Sequence, residues 1–376
     1  MIQIAQPVVG DEEIGLLREV LDSGWLTQGA KVAAFERAFA ARHGVAHAVA
    51  VTSCTTGLHL ALVALGIGPG DEVIVPSYTW IASANAVLHC GATPVLCDVD
   101  LATGNIDPAD ALARVTSRTR AVMAVHMFGL CAEVAALRAG LPAGVEIIED
   151  AACAAGAAGP DRPAGGLGRM GVFSFHPRKI ITTGEGGMIT TDSAALAERL
   201  VCLRNHGASV PEEQRHHRPR PHVLPAFEIL GYNYRMTDLQ GAVGLAQLAR
   251  LDGLIEERAR WAAWYRRRLA PLGWLRCPEE PAAGRHGWQS FVARVDPAVA
   301  PAAALVIMDR LEEKGIASRA GTHAVHMQGY YRDRFGYAPD DLPRSRDLSR
   351  QSLALPLHGR MTAEDFERVA AALDEI

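Results

Sequence analysis

Lysine is almost missing from this chain. Of 37 basic residues only Lys31, Lys179 and Lys314 are lysines, and the rest are arginine. A guanidinium carries a solvated charge as well as an ammonium does, but it stays protonated and cannot form an imine. A lysine retained away from an ordinary helical surface is therefore a candidate for chemistry. The seven cysteines are irregularly spaced without a C-x-x-C pair, which excludes a disulfide framework and a zinc cluster and fits a reducing cytosol. The formal charge is −5, with the signs interspersed. That leaves no polyanion-binding stripe, and nucleic acid is not an expected partner. No apolar window approaches the roughly 18 residues of a membrane span. The start, MIQIAQPVVGDEEIG, has no basic stretch followed by an apolar run. These absences lead to the expectation of a soluble, cytoplasmic protein with no membrane partner.

What is present is an ordinary globular composition, 49% hydrophobic and 21% charged over 376 residues, enough for two or three domains. From His47 to Asp150, short β-branched runs alternate with helical patterns. AVAVTS, DEVIVPS, TPVLCDVD, RAVMAVH and VEIIED read as strands. Leu58, Ala61, Leu62 and Leu65 have the spacing of an amphipathic helix ended by Gly66, and further helices are expected around 79–89, 108–115 and 131–139. Strands apolar on both faces predict an α/β fold with a mostly parallel sheet covered by helices, whose ligands gather at the carboxyl ends of the strands. After Lys179, GEGGMITTD reads as a strand and SAALAERLVCLRNHG as a helix ended at Gly207. The polar, proline-rich stretch 208–226 reads as a loop, either covering substrate or solvated. From about residue 246 an Arg-rich helix leads to FVARV and two more helices. The expected organisation is a large domain over 1–245, including the N-terminal segment, and a smaller C-terminal α/β domain over 246–376.

Asp150 closes the run VEIIED, whose Val145, Ile147 and Ile148 mark a buried strand. A carboxylate at the end of a buried strand is costly unless it meets a cation. The pyridinium nitrogen of pyridoxal phosphate is such a cation, and an acidic partner keeps it protonated. The competing reading is an N-cap for a helix over AACAAGAAG. Lys179, in FSFHPRKIITTGEGG, supplies the complementary amine. Burial beside a pyridinium would lower its pKa, and Ser174 in the same segment is placed to meet a phosphate. Ser53-Cys54-Thr55-Thr56 lies between a strand and a helix, so its amides fit either phosphate binding or simple helix capping. Trp80, in PSYTWIASAN, would either stack on a pyridine ring or fill the core.

Other patterns carry less. Gly166-Leu-Gly168-Arg-Met-Gly171 spells a dinucleotide fingerprint but precedes a strand, so it is expected to be a flexible loop. His323 and His326, in GTHAVHMQGYY, have no acidic or cysteine neighbour, so substrate contacts are expected of them and no metal site.

Taken together, TSCTTGLHLAL, IIEDAACAAGA, GVFSFHPRKIITTGEGGMITTD, LRNHG and GYNYRMTDLQGAVGLAQL resemble the DegT/DnrJ family of PLP-dependent nucleotide-sugar aminotransferases, which have the aspartate aminotransferase fold (fold type I). The likeness runs from about residue 24 to 365. It implies that Lys179 forms the internal aldimine and then moves the proton between substrate and cofactor carbons. It implies Asp150 at the pyridine nitrogen and Trp80 on the ring face. The phosphate would lie at Thr55, Ser174 and the amide of Cys54. Asn233, in GYNYRM, would reach the cofactor phosphate of a neighbouring subunit, which makes the expected assembly a homodimer with shared active sites. Cys153 stands where the family commonly has a glutamine near the cofactor.

The expected reaction is transfer of an amino group from glutamate to a nucleotide-linked keto sugar, an NDP-4-keto-6-deoxyhexose. Arg319 and Arg218 are the expected diphosphate partners, since guanidinium matches phosphate geometry. Two rivals remain open: a keto-cyclitol acceptor with glutamine as donor, and a catalytically idle ligand sensor on the same fold.

Overall fold

The structure, a computed structural model, describes residues 1–209 and 225–376. The short apolar runs fold as β1 (His47–Val51), β2 (Glu72–Pro76), β3 (Tyr78–Thr79), β4 (Thr93–Cys97), β5 (Thr119–Val125), β6 (Glu146–Asp150), β7 (Met170–Ser174) and β8 (Gly187–Thr191). All but β3 form one sheet in the order β1-β8-β7-β6-β5-β2-β4. Strands β4, β2, β5, β6 and β7 run parallel, while β8 is antiparallel to both of its neighbours. Alternate side chains supply both faces. Val73, Val75, Ile148 and Val172 pack with Leu58 and Leu62 on one side, and Phe173 and Met188 meet Phe35 and Phe39 on the other. Helices on both faces explain why these strands lack the polar alternation of a half-exposed sheet.

The sheet brings three strand ends to one edge. Asp150 ends β6 and Ser174 ends β7, while β1 leads through Ser53 into the helix Cys54–Ala64. Entry of β8 is pressed against that helix start: a Cβ on Gly187 would fall 2.6 Å from the Ser53 carbonyl oxygen and 2.8 Å from the Cys54 nitrogen. Only glycine allows the approach.

A second core gathers around β9 (Leu275–Arg276), β10 (Phe291–Val295) and β12 (Ser352–Leu355), an antiparallel sheet ordered β12-β10-β9. Phe366 is fully buried there, stacked on Trp261 at 4.0 Å and packed on Tyr265. Burying one such ring contributes roughly 2–3 kcal/mol. The chain crosses the expected boundary at residue 245 in both directions. Ile2 bridges to Ile316 and joins the second core. Conversely β11 (His323–Ala324) pairs with β3, and Val325, Tyr331, Leu342 and Leu348 pack in the first core. The Arg-rich helix expected from about residue 246 is Leu251–Leu269, preceded across Arg250 by a separate helix, Asp238–Ala249.

The two lysines outside the sheet edge are accounted for. Lys31 lies in the first turn of the helix Ala30–His43 and pairs with Glu19. Lys314 is the C-cap of Ala304–Glu313 and pairs with Glu375, as a cation at a helix C-terminus does. No helix among the described residues is long and apolar enough to cross a membrane.

Candidate active site

At the carboxyl edge of the sheet, Asp150 is 5% exposed. Its Oδ2 accepts from the Ser83 hydroxyl at 2.7 Å and its Oδ1 from the Ala152 N–H at 3.1 Å. The Cys54 Sγ lies 3.9 Å from Oδ1. No helix follows: residues 151–158 run in turns, so the N-cap reading of Asp150 falls away. Ser83 in turn shares a hydrogen bond of 2.9 Å with the Thr79 hydroxyl. This relay was not foreseen. Thr79 and Ser83 are four residues apart, but Thr79 is in β3 and Ser83 in the first turn of the helix Ala82–His89, and that pairing of elements has no periodic signature.

Lys179 approaches from the loop after β7, with its Nζ 3.1 Å from the Cys153 Sγ. Burial alone pushes the pKa of its ammonium down, but Cys153, then Cys54 and the Asp150 carboxylate, carry it above the ordinary lysine value. Together these neighbours outweigh desolvation. Burial, with Asp150 next, pushes the Cys54 thiol well above its usual range.

The first turn of Cys54–Ala64 divides its polar groups. Ser53 accepts from the Thr56 N–H while the Thr56 hydroxyl accepts from the Ser53 N–H, at 3.2 and 3.0 Å. Capping thus uses Ser53 and Thr56, and the amides of Cys54 and Thr55 are left without an intrahelical acceptor. Ser174, 8% exposed, stands at the same edge. An acid, an amine, a hydroxyl and the amides of a helix start are the groups that a pyridine nitrogen, an aldehyde and a phosphate require, and all lie along this edge. The residues present fit pyridoxal phosphate.

Trp80 is 57% exposed and tilted against His323 at 5.7 Å, which removes the core reading. His323 is exposed on β11 opposite Thr79. His326, by contrast, is fully buried, with Nδ1 2.7 Å from the Ser77 hydroxyl and Nε2 3.2 Å from the Pro339 carbonyl. Both ring nitrogens are used, so the expected substrate contact is corrected to a structural one. Asn233 is exposed, its backbone bridged to Asn205. Arg319 lies with Arg178 along one crevice. Arg218, and most of the 208–226 stretch, fall outside the described residues.

The glycine cluster before β7 is anchored where a flexible loop was expected. The amides of Gly165 and Gly168 both donate at 2.6 Å to the carboxylate of Glu149. A Cβ on Gly168 would sit 2.6 Å from the Ile147 carbonyl oxygen. Glu149 also accepts from His126 Nε2 at 2.8 Å, while His126 Nδ1 accepts the Ala132 N–H, which fixes the tautomer.

Comparison with known proteins agrees with this geometry. Residues 7–374 match the model of the DegT/DnrJ/EryC1/StrS aminotransferase family. The chain is 42% identical over 378 residues to GDP-perosamine synthase of Caulobacter vibrioides, covering 100% of this chain and 98% of that protein. Among solved structures, S. venezuelae DesV in complex with a ketimine intermediate superposes with a TM-score of 0.87 at 34% identity, over 99% of this chain and 98% of that one. The PLP form of Spr1654 from Streptococcus pneumoniae gives 0.89 at 25% identity, over 100% and 99%. With the family model spanning nearly its whole length, the chain belongs to the DegT/DnrJ/EryC1/StrS aminotransferase family and is a sugar aminotransferase.

Proposed function

We propose that the protein uses pyridoxal phosphate to transfer an amino group from glutamate to a nucleotide-linked keto sugar, an NDP-4-keto-6-deoxyhexose, and so makes an amino sugar. The observation that carries this is that the one lysine at the sheet edge, Lys179, lies within electrostatic reach of a strand-end carboxylate, Asp150, in a chain of this family. The acceptor class is supported by the 42% identical relative, which is named for a GDP-linked product.

When bound, pyridoxal phosphate supplies an aldehyde and an electron-withdrawing ring. The chain's own residues do the rest. Lys179 would hold the cofactor covalently and afterwards carry a proton on Nζ. Asp150 would hold the proton of the pyridine nitrogen, kept in place by Ser83, Thr79 and the Ala152 amide. The Cys54 and Thr55 amides and the Ser174 hydroxyl would receive the phosphate, at the positive end of the helix Cys54–Ala64. Trp80 would cover the ring, and Cys153 would stand beside the reacting amine. Exposed Asn233 would complete the site of a second subunit in a homodimer, and His323 would meet the sugar beside Trp80.

The test begins with the visible spectrum of the purified protein before and after borohydride. Covalent trapping in wild type and none in Lys179→Ala is expected. Incubation with glutamate and a GDP-linked 4-keto-6-deoxyhexose should then yield the amino sugar. A protein that binds the cofactor but aminates no nucleotide sugar would remove this acceptor class.

A further inference from the structure

Among the described residues the two buried arginines, Arg204 and Arg258, are matched, and the half-buried Arg319 is not. Arg204 is paired with Glu36 and the Ala50 carbonyl. Arg258, buried without an acid, donates to the carbonyls of Trp288, Gln289 and Leu357 at 2.9–3.2 Å. Arg319 has neither: among the described residues no carboxylate or carbonyl meets its guanidinium, and its Nε is buried without a partner. Arg178 shares the crevice and also lacks an acid. Burial, and then the charge of Arg178, hold Arg319 below the ordinary arginine value. A half-buried guanidinium beside the exposed Arg178 is unfavourable unless an anion joins them.

The crevice is lined by Arg178, Gln289, Ser290, Arg319, Leu355 and Leu357, with Ile4 and Ala5 at its edge, and holds no acidic residue. Its walls are braced. The Gln289 side chain donates to the Arg178 carbonyl at 2.9 Å, and the Ser290 hydroxyl donates to Gln289 at 3.0 Å. The buried Arg258 grips the carbonyls of Gln289 and Leu357 from behind. Such a rigid cationic slot is preorganised for a small planar anion.

We infer that Arg319, with Arg178 beside it, seats the α-carboxylate of the amino donor, and that the sugar's diphosphate lies elsewhere. The inference rests on the amino-acid donor proposed above and reassigns Arg319. The reason is reach. In an α-amino acid the carboxyl carbon is bonded directly to the carbon bearing the amine, so its counter-cation must stand next to the group that exchanges the amine. Lys179 is that group, and Arg178 precedes it in the chain. Cys153 lies 3.1 Å from its Nζ and also within electrostatic reach of Arg319. In a 4-keto nucleotide sugar the ring separates the keto carbon from the diphosphate, which places that anion well away from Nζ.

The holoenzyme is mixed separately with glutamate and with the nucleotide-linked amino sugar, and the cofactor's visible spectrum is followed in each half-reaction. Arg319→Gln should raise the half-saturating glutamate concentration roughly a hundredfold, as loss of a bidentate charged pair does, with less than about a threefold change for the amino sugar. Arg319→Lys should recover part of the loss. The reverse pattern, with glutamate unaffected and the amino sugar weakened, returns Arg319 to the diphosphate and overturns the inference. Wild type converted by the amino sugar but by no amino acid would instead overturn the donor reading, and the inference with it. If the variants do not fold, arginine modification of the wild-type protein decides: 2-oxoglutarate should protect Arg178 from phenylglyoxal where GDP does not, and protection by GDP alone overturns the inference.

Discussion

Glu149 and Asp150 are successive residues of β6, both buried, yet they face opposite sides of the strand and meet opposite fates. Glu149 is saturated by His126 and two glycine amides, while Asp150 receives one hydroxyl and one amide and keeps capacity for another donor. A saturated carboxylate builds structure, and an unsaturated one at a strand end waits for a ligand. The same contrast separates Arg258 from Arg319.

The contrast is broken most severely at Asp150. Asp150→Asn should lower kcat/KM on the order of a thousandfold, roughly 4 kcal/mol of a charged hydrogen bond in a water-poor site, with a melting temperature near wild type; an equal fall in stability would mean that Asp150 is as structural as Glu149. Glu149→Gln should act the other way. It leaves a poorer acceptor for the Gly165 and Gly168 amides, and urea unfolding should show a loss of about 3 kcal/mol, with the folded fraction still binding cofactor.

On the structural side, burial holds His43 at about 4 and His286 at about 3. Because these folded values are depressed, the unfolded chain takes up protons first as pH falls. Stability should be intact above pH ~6.5 and decline toward pH ~4, by roughly 3 kcal/mol for His43; unfolding curves that coincide at pH 7 and pH 4.5 would contradict this. A smaller effect, about tenfold on kcat, is expected for Ser83→Ala, which removes one neutral bond to Asp150. The smallest is a shift. Cys153 is the foremost group raising Lys179, so in Cys153→Ala the pH at which the apoprotein takes up pyridoxal phosphate should move down, since the amine must be unprotonated to react. An unmoved midpoint would show that the Asp150 carboxylate suffices.

Much of the site was legible before any coordinates. Lys179 stood out because lysine is scarce, and Asp150 because it closes a strand marked by Val145, Ile147 and Ile148. The mostly parallel sheet was legible in runs such as VEIIED and DEVIVP. What was hidden depended on elements too short to leave a period. His323 and His326 look alike in GTHAVH, but one lies on a two-residue strand and the other in the turn that follows, so one is exposed and one is sealed against Ser77. Ser83 gained its role only when β3 bent its segment under Asp150. The surroundings of Lys179 were hidden because Cys54, Asp150 and Cys153 come from segments distant from it in sequence. The glycines at 165–171 looked mobile because their partner, Glu149, is distant in sequence.

The ion pairs of Lys31 with Glu19 and Lys314 with Glu375 have a consequence for selectivity. A free aldehyde condenses with any accessible neutral amine, and proteins rich in exposed lysine collect such adducts at random. Here only three side-chain amines exist, two of them engaged by carboxylates at helix ends, and the third lines the catalytic edge. Reductive trapping should therefore mark close to one side-chain amine per chain, so the label count serves directly as a titration of competent sites.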